Sequence, residues 1–349
     1  MTLDTTITVN GALDFDPVPL TEYLRAELKA PDAPITFDRI SGGQSNPTYK
    51  VSLGDRHMIL RKQPPSIVAK GAHAIDREYR VQEALGPTDV PVPQPVLFHD
   101  DAALIGTPFY LMEFLDGRVF ETADIPGVSP EDRHAMYLSV AETMARMHAV
   151  RPDEVGLGDF GRPGGYFERQ VRRWAGQLDN STLDGLDELR ELRKRIEATL
   201  PADDGSVSIA HGDFRVGNMM FHPTEPRVIA VLDWELSTIG HPLADLGFCC
   251  MPWSTSSDEY GGVRDLDRAA LGIPTEDEFV AHYHQHLPSV GPLQPFHKAF
   301  ALFRFAVIFV GIAERAMAGV ASSDNAADLA PLARRFAIRA LEVLDTAKA

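Results

Sequence analysis

Hydrophobic positions along the chain follow two periods. Ile35 to Ile40 and Tyr49 to Leu53 alternate apolar and polar residues, as half-buried strands do. After a turn at Gly54-Asp55, His57 to Lys62 reads as a third strand. Pro64 and Pro65 break it. Ala72 to Leu85 then reads as a helix closed by Gly86-Pro87, with Ile75, Tyr79 and Gln82 on one face and Glu78 in the same stripe. An extended Pro91–Pro95 connector leads to two more strands, Val96–Phe98 and Pro108–Gly117. Ahead of these, Leu20, Leu24 and Leu28 have helical spacing, and Met1–Asp16 reads as a loose polar leader.

Beyond residue 128 the helical period dominates. Ser129-Pro-Glu-Asp132 is a helix start, with a capping hydroxyl, proline in the first turn and acids near the positive end of the dipole. Tyr137, Val140, Met144 and Met147 form its apolar stripe, which reads as core, and His148 reads as structural. Leu183–Leu200 is a charged amphipathic helix. Thr275-x-x-Glu278 is a capping box ahead of Phe279, Tyr283 and Leu287. Helices over about 296–317 and 326–347 complete the pattern. The apolar run Phe305–Ala313 is too short to span a bilayer and suits a buried helix.

One stretch departs from both periods. Ile209-Ala-His211-Gly-Asp213-Phe-Arg215-Val-Gly-Asn218-Met-Met-Phe221 places polar residues between apolar β-formers, and Val228 to Leu232 ends in Asp233. The pattern predicts strand, loop, strand, turn, strand. These residue types suit phosphoryl transfer, which needs a carboxylate to orient a hydroxyl and accept its proton, and oxygen ligands to hold Mg²⁺ on ATP. Asp213 is the candidate base, Asn218 and Asp233 the candidate metal ligands, and His211 the brace of the loop. Singly, each also fits a turn, a cap or a solvated acid. The joint spacing favours the chemical reading.

The His211-Gly-Asp213-x4-Asn218 motif, followed by Leu232-Asp233-Trp-Glu235, resembles the catalytic and metal-binding segments of the aminoglycoside phosphotransferase-like family. With Gly240-His-Pro-Leu-Ala-Asp245-Leu it is most similar to one branch, the phosphotransferase domain found fused to acyl-CoA dehydrogenases. The likeness runs from about Phe37 to the end. It implies an α+β, bilobal, protein-kinase-like fold, with a small antiparallel-sheet N-lobe over residues 1–113. A larger, mainly helical C-lobe follows over 114–349, with ATP and Mg²⁺ in the cleft. It implies that Arg61 takes the place of the phosphate-binding lysine, paired with Glu78, and that the linker at Glu113 and Leu115 offers backbone groups to adenine. Asp245 is implied as a brace of the catalytic loop. The acceptor implied by the branch is a hydroxyacyl-CoA. An aminoglycoside, sugar or amino-alcohol acceptor stays open, as does a catalytically silent nucleotide-binding module.

Other residues fill in around this frame. Ser41, Gly42, Gly43, Gln44, Ser45 and Asn46 lie between two strands, where glycines allow close approach and amides and hydroxyls suit phosphate. Lys62, one residue from Arg61, points to the opposite face of its strand. The alternative for both cations is a solvated strand end, and for Glu78 a surface pairing with Arg77 or Arg80. Arg169 and Arg173, on one helix face, are candidates for an anionic part of the acceptor or for bracing. Arg215 and Glu235 are candidate supporting or acceptor residues, and the Trp253–Arg264 loop a candidate border of the acceptor site. His282 and His286 have metal-ligand spacing, but no third ligand is evident and exposed histidines are the simpler reading. The net charge of −17 argues against nucleic acid or an anionic membrane as partner. The only cysteines, Cys249 and Cys250, adjoin within an apolar run, which points to buried thiols rather than a disulfide framework. No basic-then-apolar leader is visible, so the expected location is the cytoplasm. The expected partner is a small molecule bearing a hydroxyl.

Overall fold

A computed structural model of the chain describes residues 6–40, 46–64, 75–317 and 330–346. By their contacts the residues form two compact units, Met1–Gly117 with Ala230–Glu235, and Arg118–Ile229 with Leu236–Ala349. The architecture is the expected bilobal α+β, with a small sheet-based N-terminal part and a larger, mostly helical C-terminal part.

The first unit contains β1 (Ile7–Asn10), α1 (Pro17–Glu27), β2 (Ile35–Arg39), β3 (Thr48–Leu53), β4 (Arg56–Lys62), α2 (Ile75–Leu85), β5 (Pro95–His99) and β6 (Phe109–Glu113). The sheet order is β1-β2-β3-β4-β6-β5, antiparallel except for β1, which runs parallel to β2 at the edge. Alternation along each strand divides the core in two. Met58 and Leu60 of β4 and Phe109 and Leu111 of β6 face one way, onto Leu20 and Leu24 of α1. Ile59, Tyr110 and Met112 face the other, onto Ile75 and Tyr79 of α2. Asp16 caps α1 by accepting from the Val18 N–H at 3.0 Å, and Pro17 fits the first turn, where no N–H donor is needed.

The same alternation separates the two adjacent cations. Lys62 falls on the α1 side and is fully buried there, its Nζ 2.8 Å from Asp14 Oδ2. Asp14 Oδ1 also accepts from the Tyr49 hydroxyl at 2.7 Å. This corrects the reading of a loose leader for residues 6–16. They supply an edge strand, a cap and the counter-ion of a buried lysine. The signal in Ile7-Thr-Val-Asn is only four residues long. The solvated reading of Lys62 fails as well.

The second unit contains β7 (Arg118–Val119), α3 (Pro130–Ala149), α4 (Tyr166–Asp179), α5 (Asp187–Ala198), β8 (Ser208–Ala210), β9 (Met219–Phe221), the start of β10 (Val228–Val231), β11 (Thr238–Gly240), α6 (Pro242–Cys249), α7 (Arg268–Leu271), α8 (Glu276–His286), α9 (Pro295–Met317) and α10 (Ala330–Thr346). Ser129 caps α3 and Thr275 caps α8, as the sequence signatures predict. β8 pairs with β11 and β9 with β7, both antiparallel. α9 is apolar around most of its circumference. At 23 residues it is long and apolar enough to cross a membrane, which corrects the shorter estimate, yet 78% of its most apolar stretch is buried inside the protein. Polar ties hold the helices. Arg133 of α3 is buried and donates to the carbonyls of Asp124, Ile125, Val128 and Leu271. Arg335 and Arg339 of α10 both reach the buried Glu259. Cys249 and Cys250 are buried, and burial pushes both thiols well up.

The Lys62–Asp14 pair gives a stability test. Although burial pushes the other way, the hydrogen bonds from Lys62 and Tyr49 hold the Asp14 carboxyl below its ordinary value of 3.8. Its contribution is therefore present above pH 3.8 and lost as pH falls through the lower folded value. Asp14→Ala leaves a buried ammonium unpaired and is expected to cost about 2–4 kcal/mol in urea unfolding at pH 7. Adding Lys62→Met should recover part of that loss. An Asp14→Ala protein as stable as wild type would show that the pair is not what anchors residues 6–16.

Candidate active site

The residues singled out for chemistry form two groups, one in each unit. In the first unit, Arg61 leaves β4 on the α2 side. Its Nε lies 2.8 Å from Glu78 Oε2, and its Nη2 lies 2.8 Å from Asp233 Oδ1. Glu78 is 1% exposed, which makes a bare carboxylate costly, and it is met from several sides. Asn46 Nδ2 donates to Oε1 at 2.6 Å and the Tyr110 hydroxyl to Oε2 at 3.1 Å. Gln82 Nε2 donates to Tyr110 at 3.0 Å. Arg61 and Tyr110 are direct partners across β4 and β6, so the sheet register sets this cluster. Burial, opposed by the Arg61 charge and aided by Asp233 and Glu235, pushes the Glu78 carboxyl up to about 7. Burial works against the Arg61 charge too, but Glu78 above all, then Asp233 and Glu235, hold the guanidinium above its ordinary range.

Asp233 follows β10 and has a φ of 65°. A residue other than glycine in the left-handed region is strained by about 1 kcal/mol or more, and such positions cluster at functional sites. Glu78, Asp233 and Glu235 each bring a carboxylate oxygen within 4.8 Å of the other two.

In the second unit, His211 to Asn218 connects β8 to β9. Asn218 Nδ2 donates to both the carbonyl and Oδ2 of Asp213, each at 2.8 Å. Arg215 Nε approaches Oδ2 at 3.4 Å. The Asp213 carboxylate is thus held by two donors and stays part-exposed, at 25%. The buried His211 accepts the Asp213 N–H on Nδ1 at 3.2 Å. Behind the loop, the carboxylate of Asp245 on α6 accepts the His211 N–H at 2.6 Å and the Gly212 N–H at 2.9 Å. Gly212 has a φ of 83°, and a Cβ there would meet the Leu236 carbonyl oxygen at 2.7 Å, so only glycine fits. His148 Nε2 lies 3.3 Å from Asp245 Oδ2, and its Nδ1 lies 2.8 Å from the Tyr283 hydroxyl. Donation from Nε2 and acceptance on Nδ1 satisfy both bonds. Burial pushes the Asp245 carboxyl up, but bonds from His148 and the Gly212 N–H outweigh it and keep it below the ordinary range.

Against the sequence reading, the structure brings together His211, Asp213, Arg215 and Asn218 in one unit, and Arg61, Glu78, Asp233 and Glu235 in the other. Ser41, Gly42, Gly43, Gln44 and Ser45 lie outside the described residues. The Asn46 side chain turns inward and donates to the buried carboxylate of Glu78. The Glu113 N–H goes to the Gln94 carbonyl at 2.9 Å, and the Phe114 N–H to His57 at 3.3 Å. Arg169 is committed to the carbonyls of Arg162 and Gly164, and Arg173 lies 5.1 Å over the Trp174 ring. Their shared face serves bracing and stacking. The Trp253–Arg264 loop does meet the catalytic loop: Thr255, Glu259 and Tyr260 line a small cavity of about 60 Å³ with Arg215, Val216 and Gly217, walled by Phe248, Phe305 and Phe336. Sequence reasoning missed Asn46, Tyr110 and Gln82 as partners of Glu78. It also missed the Tyr283–His148–Asp245 relay. Tyr110 has a signal, its place in register opposite Arg61. His148 has none, since its partners come from residues 97 and 135 positions away.

Comparison with known proteins identifies the family. Residues 36–279 match the model of the phosphotransferase enzyme family. The chain is 37% identical over 338 residues to acyl-CoA dehydrogenase family member 11 of Gallus gallus, covering 94% of this chain and 43% of that protein. It is 37% identical over 312 residues to acyl-CoA dehydrogenase family member 10 of Mus musculus, covering 88% and 29%. It therefore spans less than half the length of these relatives. A solved structure, a presumed aminoglycoside phosphotransferase from Ralstonia eutropha JMP134, superposes with a TM-score of 0.87 at 40% identity, covering 95% of this chain and 99% of that one. Family model, relatives and fold converge, and the chain belongs to the phosphotransferase enzyme family.

Proposed function

We propose that this protein transfers the γ-phosphoryl group of ATP to a hydroxyl of a small molecule, with Asp213 as the base. The observation that carries the reading is the Asp213 carboxylate, fixed by Asn218 and Arg215 yet still open to solvent. The residues also fit Mg²⁺ and ATP. Asp233 and Glu235 are hard oxygen donors of the kind Mg²⁺ takes, Asn218 offers a neutral oxygen, and Arg61 is a fixed positive charge for phosphate oxygens. Bound Mg·ATP supplies the phosphoryl group and neutralises charge as it leaves for the acceptor. Asp213 orients the acceptor hydroxyl and takes its proton. Asn218 and His211 keep the carboxylate and its backbone in place, and Asp245 holds the loop from behind. Glu78 holds Arg61 at a fixed position, so little reorganisation accompanies the reaction.

For the acceptor, the family match and the 40% identical structure support an aminoglycoside, sugar or amino-alcohol, and the acidic net charge suits a cationic one. A hydroxyacyl-CoA is the second reading. It is favoured by the relatives' names. Mg²⁺-dependent ADP release with each class of acceptor decides between them. Release with none of these classes would leave the acceptor readings without support.

Asp213→Asn should keep ATP binding within a few-fold of wild type while acceptor-dependent turnover falls about 10²- to 10⁴-fold. Normal turnover by this variant would remove Asp213 as the base. Asp233→Asn should raise the Mg²⁺ concentration for half-maximal rate by about tenfold or more. An unchanged Mg²⁺ titration would sink that assignment. Glu78 sets a pH dependence. Below about pH 7 it holds a proton, and Arg61 keeps Asp233 as its one charged ion-pair partner. kcat/KM for ATP should therefore fall by up to about tenfold per pH unit on the acid side of 7, and Glu78→Gln should remove that limb. Stability moves the other way. Between the ordinary carboxyl value of 4.5 and about 7 the folded protein binds a proton that the unfolded chain has lost, so this group favours the folded state less as pH rises.

A further inference from the structure

α8 carries Glu278, His282 and His286, each one turn apart along a single stripe. α3, packed beside it, presents His134 and Glu142. His134 Nε2 lies 3.2 Å from Glu278 Oε1 at one end of the seam. At the other end, Glu142, His282 and His286 each bring a ligand atom within 4.8 Å of the other two, and the two imidazole centroids are 4.8 Å apart. The carboxylate that sequence spacing did not reveal comes from a helix more than 130 residues away in the chain. The earlier reading of His282 and His286 as merely exposed histidines is corrected to this extent.

We propose that Glu142, His282 and His286 form a binding site for a divalent transition-metal ion, Zn²⁺ first among them, that fastens α8 to α3. The donor set is two imidazoles and a carboxylate, which suits Zn²⁺ and disfavours Mg²⁺, whose preference is for oxygen alone. Tetrahedral Zn²⁺ ligands at their usual bond lengths stand about 3.4 Å apart. Side-chain rotation that closes the triangle by up to about 1.4 Å brings the three donors to that spacing. His286 is exposed while Glu142 and His282 are half-buried, so solvent has a route to the site and a water completes the coordination. Arg146 Nη2 lies 2.5 Å from Glu142 Oε1 and orients the carboxylate from outside. The site is separate from the proposed Mg²⁺ ligands. Tyr283 lies between the two histidines on α8 and is the residue that bonds His148. Metal at this seam therefore fixes the helix from which the Asp245 support is reached.

The test is Zn²⁺ titration of the untagged, EDTA-stripped full chain by calorimetry, with thermal unfolding alongside and Mg²⁺ as control. The expected result is one equivalent of Zn²⁺ bound, and a midpoint raised by about 3–6 °C at a hundredfold excess over Kd. Mg²⁺ should raise it by less than a degree or so. His286→Ala, at an exposed position, should unfold at the wild-type temperature in EDTA yet bind Zn²⁺ about ten- to a hundredfold more weakly. Glu142→Gln should do the same. Zn²⁺ binding that survives in both variants would place the ion elsewhere and overturn the proposal. So would a wild-type protein that takes up no Zn²⁺. Should Glu142→Gln fail to fold, the exposed His286→Ala carries the decision alone.

Discussion

The period-two alternation of β4 is the constraint on which the first unit turns. A single step along the strand sends Lys62 to one helix and Arg61 to the other. Each cation then dictates what its side of the sheet must supply. Lys62 requires an acid on the α1 side, and Asp14 arrives with a strand and a cap attached. Arg61 requires one on the α2 side, and Glu78 is buried there with three donors around it. A shift of register by one residue would turn each cation to the opposite face and leave one of the two carboxylates without its partner. Because the pairings are exclusive, the same alternation that builds the core also aims the guanidinium.

The second unit solves a related problem with a backbone instead of a side chain. The loop after β8 must hold Asp213 without enclosing it. Asp245 does this by taking two consecutive N–H groups from behind, while His211 and Asn218 fix Asp213 from within the loop. The carboxylate is itself buried, and its negative charge is matched by N–H donors and by His148, not by a lysine or arginine. A full cation behind the loop would compete for the acids on its open side. Partial charges from backbone amides and an imidazole avoid that competition. Each group thus uses one buried acid to present a different residue: Arg61 in one case, Asp213 in the other.

Much of this was legible because spacing along the chain translates directly into geometry over short distances. The caps at Ser129 and Thr275, the strand alternation, and the joint spacing of His211, Asp213 and Asn218 are local signals, and each falls where local rules place it. The Arg61–Glu78 pairing was also within reach, since a carboxylate in an apolar helical stripe demands a partner. What escaped depends on contacts between distant segments. β1 is only four residues long and is defined by pairing with β2. Asn46 looks like a loop residue until the need of the buried Glu78 for a donor is known. Arg169 and Arg173 share a helix face as their spacing says, but spacing does not reveal that the carbonyls of Arg162 and Gly164, or the Trp174 ring, already occupy them.

The adjacent thiols of Cys249 and Cys250 have a practical consequence. Both are buried at the end of α6, and burial holds them in the protonated, unreactive form. The native fold therefore gives maleimides and other thiol reagents no fast target. A cysteine introduced at an exposed position, such as Val119 or Leu236, becomes a selective attachment point for a fluorophore or spin label without first removing the native pair. Slow reaction of Cys249 and Cys250 then serves as an internal clock for opening of the helical core, read in the same sample that carries the label.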